Sequence, residues 1–79
     1  MSHRLGAEGD LLLARLGRDV FRSWFRDVEV KGVADDTLTL LAPTTFIRNW
    51  IKNHFTDAVF ACWQKAQPAI KRVEVVSRS

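Results

Sequence analysis

The fold is decided by residues 28–43, which have the sequence VEVKGVADDTLTLLAP. Valines alternate with charged residues before the two aspartates, and leucines alternate with threonines after them. A period of two is typical of half-buried strands, and adjacent aspartates favour a turn. We therefore predict two antiparallel strands joined near Asp35. The connection lacks the Asn-Gly pair of the tightest hairpins, so the pattern leaves the register open.

Residues on the N-terminal side of this hairpin predict two helices. The first covers residues 11–16 and could begin as early as Arg4, with Asp10 as N-cap of the shorter version and Gly17 as C-cap. The second covers residues 18–27, and its apolar residues follow the i, i+3, i+4, i+7 spacing of a core face. These residues are Phe21, Trp24, Phe25 and Val28.

Residues 44–66 predict one long helix on the C-terminal side, because neither Gly nor Pro interrupts them. Thr44 or Thr45 would cap its start. Projection at 100° per residue gives a core face of Ile47, Ile51, Phe55, Ala58 and Cys62, with Trp50 and His54 at its border. Residues 70–76 are rich in β-branched side chains and predict a third strand.

The predicted order of elements is thus α-α-β-β-α-β. This is an α/β domain of the α+β type, in which a three-stranded sheet packs against helices. At this length residues 1–79 form a single domain. We expect its ordered core to cover about residues 11–76 and the start at residues 1–9 to be frayed.

The composition is that of an ordinary globular domain. The chain has 79 residues, 47% of them hydrophobic and 27% charged, and a net charge of +3. This charge tolerates an anionic partner but is small for a dedicated nucleic-acid-binding domain. The single cysteine excludes an internal disulfide, and no apolar run resembles a signal peptide or a membrane span. We therefore predict a cytoplasmic protein that does not enter a membrane.

Three aromatic side chains of the long helix project away from the centre of its core face, namely Phe46, Phe60 and Trp63. We expect Phe46, in the exposed first turn, to bind a partner. Phe60 and Trp63 either do the same or cover the first two helices, and we favour the second interpretation. Trp24 and Trp50 fall near apolar faces at helical spacing, so we expect both in the core.

The residues give no catalytic or metal-binding arrangement. His3, His54 and Cys62 do not have the spacing of zinc ligands, and they do not supply a nucleophile with a base and an orienting acid. Cys62 is expected to be a buried, inert thiol. Residues 6–9 match the GXXG of KH domains but do not lie at the helix-helix junction, so we regard the match as chance. We predict no catalysis, no metal site and no cofactor in this chain.

Five basic residues form two stripes at helical spacing. Arg18, Arg22 and Arg26 lie on the second helix, and Arg48 and Lys52 lie on the long helix. A solvated helix face explains both stripes. The alternative is weak contact with single-stranded DNA or with an acidic protein, for which these five side chains are the candidates.

Two motifs resemble a known family. They are FxxWF at residues 21–25 and TLxLxAPxxFxxxWI at residues 37–51. Together they resemble the N-terminal domain, domain I, of the bacterial chromosomal replication initiator DnaA. The similarity spans about residues 11–76, and the stretches at residues 43–50 and 73–79 look most like alphaproteobacterial versions.

The resemblance implies a KH-like fold with the same order of elements and a role in replication initiation. Domain I of this family mediates self-association of the initiator, helps to load the replicative helicase DnaB, binds regulators of initiation and touches single-stranded DNA weakly. The family residue at the position of Phe46 contacts the helicase and regulators. ATP binding is implied only for a separate domain of the full-length family protein.

Two positions depart from the family pattern. Many members have a Trp near the start of the first helix that serves dimerisation, and an ungapped count places Leu5 there, so we expect self-association through Leu5 to be weak. An acidic partner-binding residue of some members is replaced by Val20, with Asp19 one position earlier. We expect that contact to be lost or shifted.

Three functions therefore compete. The first is a protein-docking module of a replication initiator, and the second is a KH-like module for single-stranded nucleic acid. The third is a stand-alone regulator that imitates domain I of the initiator. The salt dependence of binding separates the first two, because phosphate contacts weaken steeply as salt rises. The sequence does not separate the third.

Overall fold

The computed structural model describes residues 5–78. Its elements, in chain order, are α1 (Gly6–Leu16), α2 (Arg18–Phe25), β1 (Glu29–Ala34), β2 (Thr37–Ala42), α3 (Thr45–His54), α4 (Thr56–Ala66) and β3 (Arg72–Ser77). The α+β class is confirmed, as is the three-stranded sheet packed against helices. The strands lie where the period-two patterns predicted them, whereas the predicted long helix is divided in two.

The three strands form one sheet in the order β1-β2-β3. β1 is antiparallel to β2, and β3 is parallel to β2. The parallel pair arises because α3 and α4 carry the chain from the end of β2 back to its beginning. Alternate residues of β2 are fully buried, as expected for a central strand with one face on the core. They are Leu38, Leu40 and Ala42.

The hairpin turn is tighter than the sequence indicated. Ala34 pairs directly with Thr37, so only Asp35 and Asp36 connect the strands. Both aspartates have positive φ, 51° and 65°, which is the backbone of a type I′ turn. Asp tolerates this conformation better than most residues, but glycine adopts it without steric cost. The sequence left the register open because neither position is Gly or Asn.

Replacing Asp36 by glycine is therefore expected to stabilise the protein. The carbonyl of Asp36 accepts hydrogen bonds from the N–H groups of Lys71, at 2.8 Å, and Arg72, at 3.2 Å, and glycine keeps that carbonyl. We expect Asp36→Gly to raise the free energy of unfolding by about 0.5–1 kcal/mol in chemical denaturation. Ala34→Gly is the control, because glycine in a strand should lower it. Equal losses in both variants would contradict the turn assignment.

The helix predicted over residues 44–66 is wrong as a single element. Phe55, with φ −121° and ψ 2°, ends α3, and α4 begins at Thr56. A straight helix over residues 45–66 would be about 33 Å long, and the longest extent of the molecule is 28 Å. The Phe55 ring meets Phe25 of α2 edge-on, with centroids 5.5 Å apart. The break lets α4 turn across the core and pack on α1.

The core extends further toward the N-terminus than predicted. Leu5 is 2% exposed and α1 begins at Gly6, so residues 6–9 are helical instead of frayed, although Gly6 and Ala7 are exposed. Residues 1–4, including His3, lie outside the described part of the chain. Trp63 of α4 is 1% exposed, so it is a core residue and not part of a partner surface, and Phe60 is half-buried against the core. No helix within residues 5–78 is both long and apolar enough to cross a membrane.

Candidate functional site

Four aromatic rings form a continuous row on the surface between α2 and α3. Trp24 of α2 lies nearly parallel to Trp50 of α3, with centroids 4.6 Å apart and an interplanar angle of 5°. Phe46 lies 5.9 Å from the Trp24 centroid and 6.4 Å from the Trp50 centroid. His54 continues the row at 4.3 Å from Trp50. We call these four residues the aromatic surface.

Helical spacing places the three rings of α3 in one row. Phe46, Trp50 and His54 are four residues apart in sequence, so they lie on the same side of the helix. The start of α3 is fixed by Thr44, whose Oγ1 accepts a hydrogen bond from the N–H of Ile47 at 3.1 Å. Phe46 thus projects from the first turn of a capped helix, and this order reduces the entropy that its backbone would lose on binding.

Trp24 and Trp50 depart from the prediction that both are core residues. Trp50 is 37% exposed, so the prediction is wrong for it, and Trp24 is only partly buried against the core. The neighbours of Trp24 on α2, Phe21 and Phe25, are fully buried. The two indoles stack on each other, and Trp24 also packs against the core. The two tryptophans therefore belong to the surface that Phe46 occupies.

Phe46 is the most exposed large apolar residue of the described chain, at 67%. Its predicted position off the core face is confirmed. Val20, one helical turn before Trp24, is 38% exposed and extends the apolar area along α2. Exposed apolar residues that are contiguous, unlike scattered single ones, mark interaction sites.

Asp19 is exposed but faces away from this area. At 100° per residue it lies about 140° from Trp24 around α2. The backbone carbonyl of Asp19 accepts a hydrogen bond from the Ser23 hydroxyl at 2.9 Å. Of the two predicted partner-binding positions on α2, the structure groups only Val20 with Phe46.

Leu5 does not lie at a surface where a second copy could reach it. The side chain is 2% exposed and belongs to the hydrophobic core. Contact with another copy would require it to leave that core, which would cost about as much as losing a buried leucine, on the order of 2–5 kcal/mol. The predicted self-association site at Leu5 is therefore corrected to a core position.

The basic stripe of α2 is separate from the aromatic surface. Arg18, Arg22 and Arg26 are all exposed, as predicted. At 100° per residue Arg22 and Trp24 differ by about 200° around the helix, so they lie on opposite flanks. A single surface that combines stacking rings with these cations, as single-stranded nucleic-acid sites commonly do, is not formed here.

The two basic residues of α3, Arg48 and Lys52, differ in their contacts. The Nε of Arg48 donates a hydrogen bond to the carbonyl of Val75 at 3.2 Å, and Nη1 donates to Oδ1 of Asn49 at 2.9 Å. Arg48 is therefore half-buried and ties α3 to the edge strand β3, and its contact with nucleic acid stays a prediction. Lys52 is exposed and stays a predicted contact for nucleic acid.

The cysteine and the potential metal ligands lie apart from the aromatic surface in the described part of the chain. Burial raises the pKa of the Cys62 thiol, which keeps it neutral, in agreement with the predicted buried thiol. Within residues 5–78 no three His, Cys, Asp or Glu side chains lie close enough together to hold a metal ion. Residues 6–9 form the first turn of α1, so the GXXG match is not a loop between two helices.

The aromatic surface is therefore a site for apolar contact. The rings of Phe46, Trp24 and Trp50 carry no charge, and the Arg, Lys and Asp side chains of α2 and α3 face other directions. Of the four residues, the sequence analysis predicted only Phe46 as a partner contact and missed Trp24, Trp50 and His54. The aromatic spacing of i, i+4, i+8 along α3 was the signal that could have found two of them.

Comparison with known proteins gives consistent matches. The profile of the DnaA N-terminal domain family matches residues 10–65 of this chain. Among similar curated proteins are the chromosomal replication initiator proteins DnaA of Rhodopseudomonas palustris strain TIE-1, 38% identical over 86% of this chain, and of Bradyrhizobium sp. strain BTAi1, 34% identical over 86%. The corresponding protein of Nitrobacter hamburgensis is 32% identical over the same share. The chain spans 14% of the length of each of these relatives.

Proposed function

The chain belongs to the DnaA N-terminal domain family, and we propose that it is a docking domain of replication initiation that binds the replicative helicase DnaB through its aromatic surface. Regulators of initiation would use the same surface. The domain would act in the cytoplasm together with the helicase. It would carry out no catalysis and need no cofactor of its own, and ATP would be bound only by another domain of a full-length initiator.

One observation carries this proposal, namely an aromatic row at the surface in which Phe46 and Trp50 stay exposed. Phe46 leaves 67% of its surface in water although it lies beside two tryptophans. Covering apolar area of this kind is worth about 25 cal/mol per Å². Aromatic anchors at the centre of an interface commonly carry most of its binding energy. The arrangement supports docking through Phe46 with Trp24 and Trp50 as its platform.

The proposal is tested by adding DnaB to isotope-labelled protein and following the tryptophan indole signals. The indole N–H groups of Trp24 and Trp50 should shift or broaden on binding. Trp63 is an internal control, because its burial at 1% exposure keeps it from the partner. Changes confined to α1 and α4 would contradict docking at the aromatic surface.

Self-association is proposed to be weak in this chain. Family membership supports some association of initiator copies. However, the position that serves dimerisation in many members is occupied by Leu5, and Leu5 is part of the core. Any contact between copies would have to use other side chains, so the main role that we assign to the domain is docking of other proteins.

Single-stranded DNA is the second candidate partner, and the exposed stripe of Arg18, Arg22 and Arg26 favours it. The double variant Arg22→Ala, Arg26→Ala should weaken this binding and reduce the slope of log affinity against log salt by about 1.4, since each phosphate contact on a single strand contributes about 0.7. Fluorescence anisotropy with a labelled oligonucleotide measures both quantities.

The matched control is Lys71→Ala, Arg72→Ala, which removes the same charge from exposed positions before and at the start of β3. It should leave the salt slope unchanged if the stripe is the site. Equal slopes in all three proteins would exclude the stripe. DnaB affinity should be nearly insensitive to salt and to both double variants, because the rings of Phe46, Trp24 and Trp50, on which docking is proposed to rest, carry no charge.

A further inference from the structure

A second surface lies between α1 and α4, which the proposed docking role does not use. It is a recess of about 150 Å³, which we call the α1/α4 recess. Its lining residues are Leu11, Arg15, Ala61, Cys62 and Lys65. None of them belongs to α2 or α3, which carry the aromatic surface.

The floor of the recess is apolar. Leu11 is 40% exposed, whereas its neighbour Leu12 supplies the buried side chain of this part of α1. Ala61 is half-buried and Cys62 is 6% exposed. Burial raises the pKa of the Cys62 thiol, so this group stays neutral. An exposed leucine beside a neutral floor is suited to an aliphatic side chain of a partner.

The rim of the recess is positively charged. Arg15 lies in the last turn of α1 and Lys65 in the last turn of α4, and both side chains are exposed. Their positive charges lower the pKa of the Cys62 thiol, while its burial raises that pKa by more. Within residues 5–78 neither cation has a hydrogen bond or ion pair with a protein group. Two neighbouring like charges repel each other, and a carboxylate placed between them would relieve that repulsion.

The size of the recess decides between a small molecule and a peptide. Sites for free small ligands usually enclose about 300–1,000 Å³, and 150 Å³ is below that range. One aliphatic side chain fits. An amphipathic helix that binds in a groove places its apolar side chains in the groove and its charged side chains at the edges. We propose that the α1/α4 recess docks an acidic amphipathic helical segment of another protein, with an aliphatic side chain on Leu11 and carboxylates on Arg15 and Lys65.

The test uses a synthetic peptide of about 15 residues, long enough to form a helix, built from Leu, Ala and Glu with Leu at helical spacing and blocked ends. It is added to the isotope-labelled chain, and amide shifts give both the site and the Kd. We expect shifts along α1 and α4. The variant Arg15→Gln, Lys65→Gln should bind about tenfold more weakly, the loss expected from two exposed charge pairs. Raising the salt should weaken wild-type binding.

Matched controls separate this surface from others. Lys71→Gln, Arg72→Gln removes the same charge elsewhere and should bind as the wild type does. Leu11→Gln should weaken binding while melting stays unchanged, and Phe46→Ala should leave peptide binding intact. A peptide with Lys in place of Glu should not bind.

Three outcomes would overturn the proposal. The Lys peptide could bind as well as the Glu peptide, or the control pair could weaken binding as much as the Arg15 and Lys65 pair. Sedimentation without peptide could also reveal a dimer that Leu11→Gln dissolves, in which case the recess would serve a second copy of the chain. None of these results bears on DnaB docking, which Phe46→Ala tests separately.

Discussion

Phe46→Ala is expected to lower the affinity for DnaB by about 2 kcal/mol or more, while the free energy of unfolding falls by no more than about 1 kcal/mol. The two effects separate because the Phe46 ring is mostly in water, with 67% of its surface exposed. Its removal leaves no cavity in the core. The stability that is lost comes from its tilted contacts with Trp24 and Trp50, at centroid distances of 5.9 and 6.4 Å, and we expect each of these exposed pairs to contribute about 0.5 kcal/mol, the low end of the range for ring pairs.

Both quantities should be measured on the same preparation, by calorimetric titration with DnaB and by chemical denaturation. The control is Val33→Ala, which truncates another exposed apolar side chain, 43% exposed, on the edge strand β1. This control should leave DnaB affinity unchanged. A large loss of stability in Phe46→Ala with unchanged affinity per folded molecule would refute docking through Phe46.

Trp63→Ala is expected to have the largest effect on stability, a loss of about 3–5 kcal/mol. A domain of 79 residues has a total free energy of unfolding of about 4–12 kcal/mol, so the variant would lose a large part of its stability, and all of it at the low end of this range. The cause is a cavity, because Trp63 is 1% exposed and is the largest of the fully buried side chains. Thermal melting followed by circular dichroism measures the loss.

Trp50→Ala is the matched control for this prediction, since it removes the same side chain from α3. Trp50 is 37% exposed and rests on Trp24, so its truncation should cost only about 1–2 kcal/mol. It should also weaken DnaB binding, which Trp63→Ala should do only through unfolding. Equal losses of stability in the two variants would show that the aromatic surface is part of the core.

The hairpin shows how far local pattern can predict structure. The alternation of Leu38 and Leu40 with threonines places β2 correctly, because period two leaves few other ways to bury one face. The tight turn at Asp35 and Asp36 was not foreseen. Positive φ at both positions is unfavourable for aspartate. The pairing of the strands on either side holds both residues in this conformation.

The helix over residues 44–66 shows the limit of the same reasoning. Its apolar spacing is compatible with one continuous helix, and nothing in the local sequence requires a break at Phe55. The break coincides with the contact of Phe55 with Phe25, a residue far away in the sequence. Once α4 turns toward α1, Trp63 becomes buried and Phe46 stays on the surface.

The sequence by itself determined the class of fold, the order of strands and helices along the chain, and the position of Phe46 off the core face. These follow from periodicity, which each segment carries locally. The tertiary structure decided that Trp24 and Trp50 share a surface row, that Leu5 is core, and that Arg48 holds the edge of β3. Each of these features depends on which segments pack against each other. That packing is determined by contacts between residues far apart in the sequence, which no local pattern contains.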